Sequence, residues 1–301
     1  MCGIVGLLAR SRELEPTLGQ LFVPMLTALT SRGPDSAGFA LYDRTVPTGS
    51  LRWSLCGEAA GSAVDWRALT DRVETESGSR VSAEDLGAVC FLTTDAAPEL
   101  VRGVVAAFGG VSVVGFGAHV RLIKDVGTPA EICGRYGITS SAGYLAVGHT
   151  RMATESAVTT LHSHPFSPAP DVALVHNGSF SNHATIRRRL ADVGITCETD
   201  NDSEVAACYI GWRLQRGDDL QEALRHVLKE FDGFFTLAVG AGLEFAVVRD
   251  AFACKPLVVA ETAEYIATAS EYQALAELPG IENARVFEPG PEEISTWTVD
   301  G

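Results

Sequence analysis

The chain has 301 residues, 46% of them hydrophobic, enough for one substantial core or two modest ones without help from disulfides or metal. Its 23 Lys and Arg against 38 Asp and Glu give a formal charge of −15, which repels a nucleic-acid backbone. Seven scattered cysteines with no CxxC pair exclude a disulfide framework or zinc ribbon, and the absence of any apolar run of roughly 20 residues or a signal-like start predicts a cytoplasmic protein with no membrane partner.

Cys2 to Leu8, rich in Ile, Val and Leu and broken by glycines, predicts a buried strand that puts Cys2 at a strand end. Leu18, Leu21, Leu26 and Leu29 have helical spacing within Pro16 to Leu29. Arg32-Gly33-Pro34-Asp35 then forces a turn before a strand through Phe39, Leu41 and Tyr42. From about Ser50 the texture changes. Helices over Trp66 to Glu76 and Glu99 to Phe108 alternate with strand-like runs at Ala88 to Thr93, Val111 to Phe116 and Val120 to Lys124. This is the pattern of a small α+β module inserted at 51–141 between two parts of a main domain, 2–50 and 142–301. A helix over Pro129 to Tyr136 returns the chain to a strand at Tyr144 to Val147.

Another strand is expected at Val172 to Val175, followed by helices at Asn182 to Leu190, Ser203 to Leu214 and Leu220 to Glu230. Phe234 to Val239 and Phe245 to Val248 read as a hairpin around Gly240 and Gly242. The tail from Pro279 reads as irregular structure or a partner contact. Arg187-Arg188-Arg189 on a helix reads as a solvated face.

Five segments carry chemistry. Once Met1 is removed, Cys2 offers a thiol and a free α-amine, so one residue supplies nucleophile and base. Ser31-Arg32-Gly33-Pro34-Asp35-Ser36-Ala37-Gly38 and Gly148-His149-Thr150-Arg151-Met152-Ala153-Thr154 put polar groups at strand ends; each alone also reads as a turn with an incidental arginine. His176-Asn177-Gly178 pairs a side-chain amide with a glycine N–H, suitable donors for an oxyanion, and reads equally as an Asn-Gly turn. Thr199-Asp200-Asn201-Asp202-Ser203-Glu204 heads a helix, as an N-cap or as a substrate-binding carboxylate. His162 and His164 form a His-x-His pair for which a metal site is the weaker reading, and no metal is expected.

In this order, Cys-Gly-Ile, Arg-Gly-Pro-Asp-Ser-Ala-Gly, Gly-His-Thr-Arg-x-Ala-Thr, His-Asn-Gly and Asp-Ser-Glu resemble the class II glutamine amidotransferases, over residues 1 to about 50 and about 142 to 260. The resemblance implies the α/β/β/α four-layer sandwich of N-terminal-nucleophile hydrolases, with two antiparallel sheets and the inserted module at one edge. It implies Cys2 as nucleophile, Asn177 and the Gly178 N–H as oxyanion hole, Arg151 on the glutamine carboxylate, Asp202 on its α-ammonium, Thr154 positioning the substrate and Arg32 ordering the turn around Cys2. Met152 and Glu155 depart from the pattern, standing where several relatives carry an aromatic and a histidine.

No cofactor is implied in this chain. Since no ammonia-using domain is recognisable after about residue 260, a separate ammonia-accepting synthase subunit is expected, with flavin or iron–sulfur possible there. The arrangement is similar to the glutaminase-like subunit of N-methylglutamate synthase and related glutamate-synthase-like proteins. Two alternatives stay open: an amidase of the same fold acting on another amide, and a catalytically degenerate scaffolding subunit.

Overall fold

Strand β1 (Gly3–Ala9) is apolar on both faces, with Ile4 and Leu8 pointing one way and Val5 and Leu7 the other, so it has to be covered on both sides. The computed structural model describes residues 2–57, 64–152 and 158–299. After β1 come helix α1 (Leu18–Ala28) and strands β2 (Ser36–Tyr42) and β3 (Leu51–Gly57), then α2 (Trp66–Ser77), β4 (Val81–Asp85), β5 (Val89–Thr94) and α3 (Pro98–Phe108). The consecutive strands β6 (Val111–Gly117) and β7 (Val120–Val126) lead through α4 (Pro129–Arg135) to β8 (Leu145–Arg151) and β9 (Val172–Phe180). Helices α5 (His183–Asp192), α6 (Asp202–Gln215) and α7 (Leu220–Glu230) precede β10 (Gly233–Ala241), β11 (Glu244–Arg249), β12 (Val258–Glu261) and β13 (Tyr265–Ala269), and the chain closes with β14 (Arg285–Phe287) and β15 (Ile294–Thr298).

Two antiparallel sheets face each other. One has seven strands in the order β14-β12-β13-β1-β8-β2-β7, the other four in the order β15-β11-β10-β9. Between them lie Ile4, Leu8, Tyr42, Val147, Val175, Phe245 and Val247. Leu18, Phe22 and Met25 of α1, with Ile132 of α4, cover the outer face of the seven-stranded sheet; Ile186, Val205, Ile210 and Leu224 of α5 to α7 cover the other. This is the expected α/β/β/α sandwich. The β10–β11 hairpin turns at the expected place, with Ala241 opposite Glu244 and Gly242 at φ +58°.

The inserted region builds its own sheet, β4-β5-β3-β6, with α2 and α3 packed around Trp53, Leu69, Leu92 and Val104. Val120 to Val126, read from the sequence as part of the 51–141 insertion, pairs along its length with β2 as the edge of the seven-stranded sheet. The reason is the two-residue turn after β6, which passes the chain from one sheet to the other. Asp171 holds that turn by accepting N–H bonds from Ala118 (2.9 Å), His119 (2.7 Å) and Val120 (3.0 Å). A buried bidentate pair, Arg52 to Asp43 at 2.8 and 3.1 Å, anchors the start of β3. Burial alone would raise the Asp43 carboxyl pKa; the bonds from Arg52 and Thr45 hold it below its ordinary value. The tail is more regular than the sequence suggested. β14 pairs with β12, and β15 closes the edge of the four-stranded sheet against β11. Among the described residues, no helix is long and apolar enough to cross a membrane.

Candidate active site

Register brings the site together. Gly3 pairs with Thr150, which sets Cys2 opposite Arg151 where β1 and β8 end. Leu145 and Val147 face the gap between the sheets, so period-two alternation turns His149 and Arg151 the same way. On β9, Ala173 and Val175 face that gap, and Asn177 follows in phase. Asn177 Nδ2 donates to the Cys2 carbonyl at 3.1 Å, and Cys2 Sγ lies 4.0 Å from the Met152 carbonyl oxygen. A half-buried thiol, a buried amide and a buried guanidinium therefore converge at one end of the sandwich.

The Arg32 segment supports the N-terminus from below. Its Nε donates to the Cys2 carbonyl at 2.9 Å, so that oxygen receives two donors, and one terminal nitrogen of the guanidinium pairs with Glu271 at 2.6 Å. Gly33 permits this approach: a Cβ there would meet the Arg151 backbone nitrogen at 2.5 Å. Ser270 adds a second tie, donating its N–H to the Ile4 carbonyl at 2.9 Å and accepting the Ile4 N–H on its hydroxyl at 2.9 Å. Neither Ser270 nor Glu271 stands in a recognisable motif, and only their position after β13, beside β1, reveals them.

Asp202 opens α6, where Asn201 is the N-cap, its side chain accepting the Ser203 N–H at 2.9 Å. One Asp202 oxygen accepts the Phe180 N–H at 2.8 Å and the other the Ser203 hydroxyl at 3.2 Å. Because that hydroxyl spends its proton on the carboxylate, it accepts from His176 Nδ1–H at 2.8 Å, which fixes the tautomer of His176. His176 thus orients Asp202 through Ser203, a link the sequence reading missed although all three residues lie in its motifs. Asp202 remains part-exposed, with lone pairs left for a ligand. Gly178 is confined: a Cβ would run into the Phe234 carbonyl, and φ is +152°. Thr154 lies outside the described residues, as does Glu155.

His162 and His164 part company. His162 Nε2 reaches Asp200 at 2.9 Å, whereas His164 packs its ring on His149 at 4.1 Å between centroids. His149 donates from Nε2 to the His176 carbonyl at 3.0 Å. Burial pushes all three inner histidines down: His149 to about 3, His176 to about 4 and His164 well below its ordinary value. They are neutral in the folded protein, while the unfolded chain takes up a proton at each near pH 6.5. Stability is therefore lost as pH falls below 6.5, by about 1.4 kcal/mol per pH unit for each histidine, until the folded-state values are reached. Urea unfolding at pH 7, 6 and 5 should show this slope, and His149→Gln, which keeps the N–H donor, should reduce it by one proton. A midpoint indifferent to pH over that range would contradict the neutral cluster.

Comparison with known proteins identifies the fold and the family. Solved structures of glutamine phosphoribosylpyrophosphate amidotransferase from B. subtilis and of the allosteric regulatory enzyme of purine biosynthesis superpose on the whole chain with TM-scores of 0.64 and 0.65 at 18% identity, covering 48% of each of those chains. The fold is that of the N-terminal-nucleophile amidotransferases. Residues 149–277 match the family described as glutamine amidotransferase domain. Over 299 residues the chain is 46% identical to the glutamine amidotransferase-like protein GlxB of Rhizobium meliloti (strain 1021), an alignment spanning 99% of this chain and 98% of that protein. A glutamine–fructose-6-phosphate aminotransferase of Xylella fastidiosa (strain 9a5c) is 38% identical over 133 residues, 43% of this chain and 21% of that one. The chain belongs to the class II glutamine amidotransferases.

Proposed function

We propose that Cys2, freed of Met1, hydrolyses glutamine. Its α-amine, directly or through a water, takes the thiol proton, and Sγ attacks the side-chain amide carbon. Asn177 Nδ2 and the Gly178 N–H hold the tetrahedral oxyanion; the Asn177 amide has two N–H groups, so the bond to the Cys2 carbonyl leaves one for this task. The α-ammonium protonates the departing ammonia, and water hydrolyses the glutamyl thioester to glutamate. Arg151 takes the substrate carboxylate, Asp202 and Thr154 the ammonium end, and Arg32 keeps the Cys2 turn in place. No metal or organic cofactor enters this reaction. The observation that carries the reading is the convergence of Cys2, Asn177 and Arg151 at one end of the gap between the sheets.

Ammonia release from glutamine against asparagine tests the substrate. Arg151→Lys should raise the glutamine KM at least tenfold and leave kcat within a few-fold, because lysine cannot make the bidentate match to a carboxylate that is present in ground and transition state alike. Equal turnover of asparagine, or an unchanged KM in that variant, would reject the assignment.

We also propose that the ammonia passes to a separate synthase subunit, of an N-methylglutamate synthase or glutamate-synthase-like complex, where any flavin or iron–sulfur group would reside. What supports this is the resemblance of the chain's ordered motifs to the glutaminase-like subunit of those complexes. Purification at native expression level with mass analysis should recover the partner; a monomer with full, uncoupled glutaminase activity would overturn it.

A further inference from the structure

A cavity of about 230 Å³ opens between the inserted sheet, the β7 edge and the loop before α6. Three polar groups in its wall have hydrogen-bonding capacity to spare, although only Ser167 and Lys124 are buried and Arg102 is half-buried. Ser167 is 7% exposed, and its hydroxyl has no hydrogen-bond partner among the described residues. Lys124 is buried; its Nζ donates to the Leu161 and Ser163 carbonyls at 3.1 and 3.0 Å and sits 4.7 Å above the Phe166 ring, leaving a third N–H without a described acceptor. The Arg102 guanidinium lies over the rings of Phe116 and Trp53 at 4.6 and 5.6 Å. Among the described residues neither cation forms an ion pair.

The one buried carboxylate in the wall, Glu204, is already engaged. It accepts the Glu198 and Thr199 N–H groups, both at 2.7 Å, and the Thr199 hydroxyl at 2.6 Å, so it ties the 198–199 turn to α6. Glu198 and Glu204 of the same wall act electrostatically on Lys124, and Glu198 on Arg102, without forming an ion pair among the described residues; the third Lys124 N–H, the guanidinium and the Ser167 hydroxyl therefore still offer hydrogen bonds to an acceptor group supplied from outside.

We propose that this cavity binds a small organic monocarboxylate, its carboxylate between Lys124 and Arg102 and against the Ser167 hydroxyl, its apolar body on Val114 and Phe166. Glu198 lines the same cavity and disfavours a second negative charge on the ligand. Burial pushes the Lys124 ammonium down to about 8, and a carboxylate beside it would reverse that shift. Its wall includes none of Cys2, Arg151, Asn177 and Asp202, and the proposal does not depend on the hydrolytic reading.

Calorimetric titration of the full chain with isobutyrate and with pyruvate tests it, with inorganic phosphate for comparison. Saturable one-to-one binding of at least one acid is expected, unchanged in Cys2→Ala and with saturating glutamine present in that variant. Arg102→Met, which keeps a long stem on the two rings, and Ser167→Ala should each weaken it, the former at least tenfold. Absence of saturable binding, indifference to both substitutions, competition by glutamine, or tighter binding of phosphate than of either acid would overturn the proposal.

Discussion

Cys2→Ala is expected to lower glutamine hydrolysis by a factor on the order of 10⁴ or more, to the background of the assay, with no loss of fold. Removing the nucleophile of an acyl-transfer site leaves only binding and oxyanion stabilisation, so the loss approaches that of the whole catalytic set. The fold should survive because the ties at this position are made by the Cys2 backbone: its carbonyl receives Arg32 and Asn177, while its side chain lies at the partly open end of β1. A glutamine-analogue electrophile supplies the complementary measurement. Cys56, Cys90, Cys133 and Cys208 are buried, and burial pushes Cys90 and Cys133 up to about 12, far from a reactive thiolate. Peptide mapping should find the label on Cys2 and on none of the others. Label at the exposed Cys254, or turnover by the alanine variant, would remove Cys2 from the mechanism.

Asn177→Ala should slow the chemical step by roughly 10²–10³-fold, about 2.7–4 kcal/mol, the loss typical of one oxyanion-hole donor. The same amide also holds the Cys2 carbonyl, so the kinetic result has to separate stabilisation from positioning. If the oxyanion contact dominates, kcat falls while the glutamine KM and the rate of Cys2 alkylation by a small neutral reagent stay within a few-fold, since neither involves developing charge. Asn177→Asp offers a sharper contrast. It is nearly isosteric but places a negative charge where the oxyanion forms, and it should be slower than alanine. An alanine variant with unchanged kcat, or an aspartate variant faster than alanine, would assign the oxyanion to other donors.

The sequence by itself determined the features that are written in short periods and in local chemistry. Short continuous apolar runs placed β1, β8 and β9, and apolar patterning placed α1 and α5 to α7 within a few residues. The Gly240–Gly242 turn announced its hairpin, and the ordered motifs, through the resemblance they carry, singled out Cys2, Arg32, Arg151, Asn177 and Asp202 as candidates. Alternation then explains why Cys2, Arg151 and Asn177 share one face, since they sit in phase with the inward-facing Ile4, Val147 and Val175 of their own strands. Tertiary structure decided the partners. Glu271 meets Arg32 across 239 positions because β13 lies beside β1, and no local pattern carries that adjacency. His176 reaches Asp202 through Ser203 only because α6 packs on β9. Val120–Val126 reads identically as a strand of either sheet, and its place beside β2 follows from which edge had unpaired backbone groups to offer. β14 and β15 are too short for periodicity to be visible, and their pairing with β12 and β11 comes from the same need to satisfy N–H and C=O groups at a sheet edge.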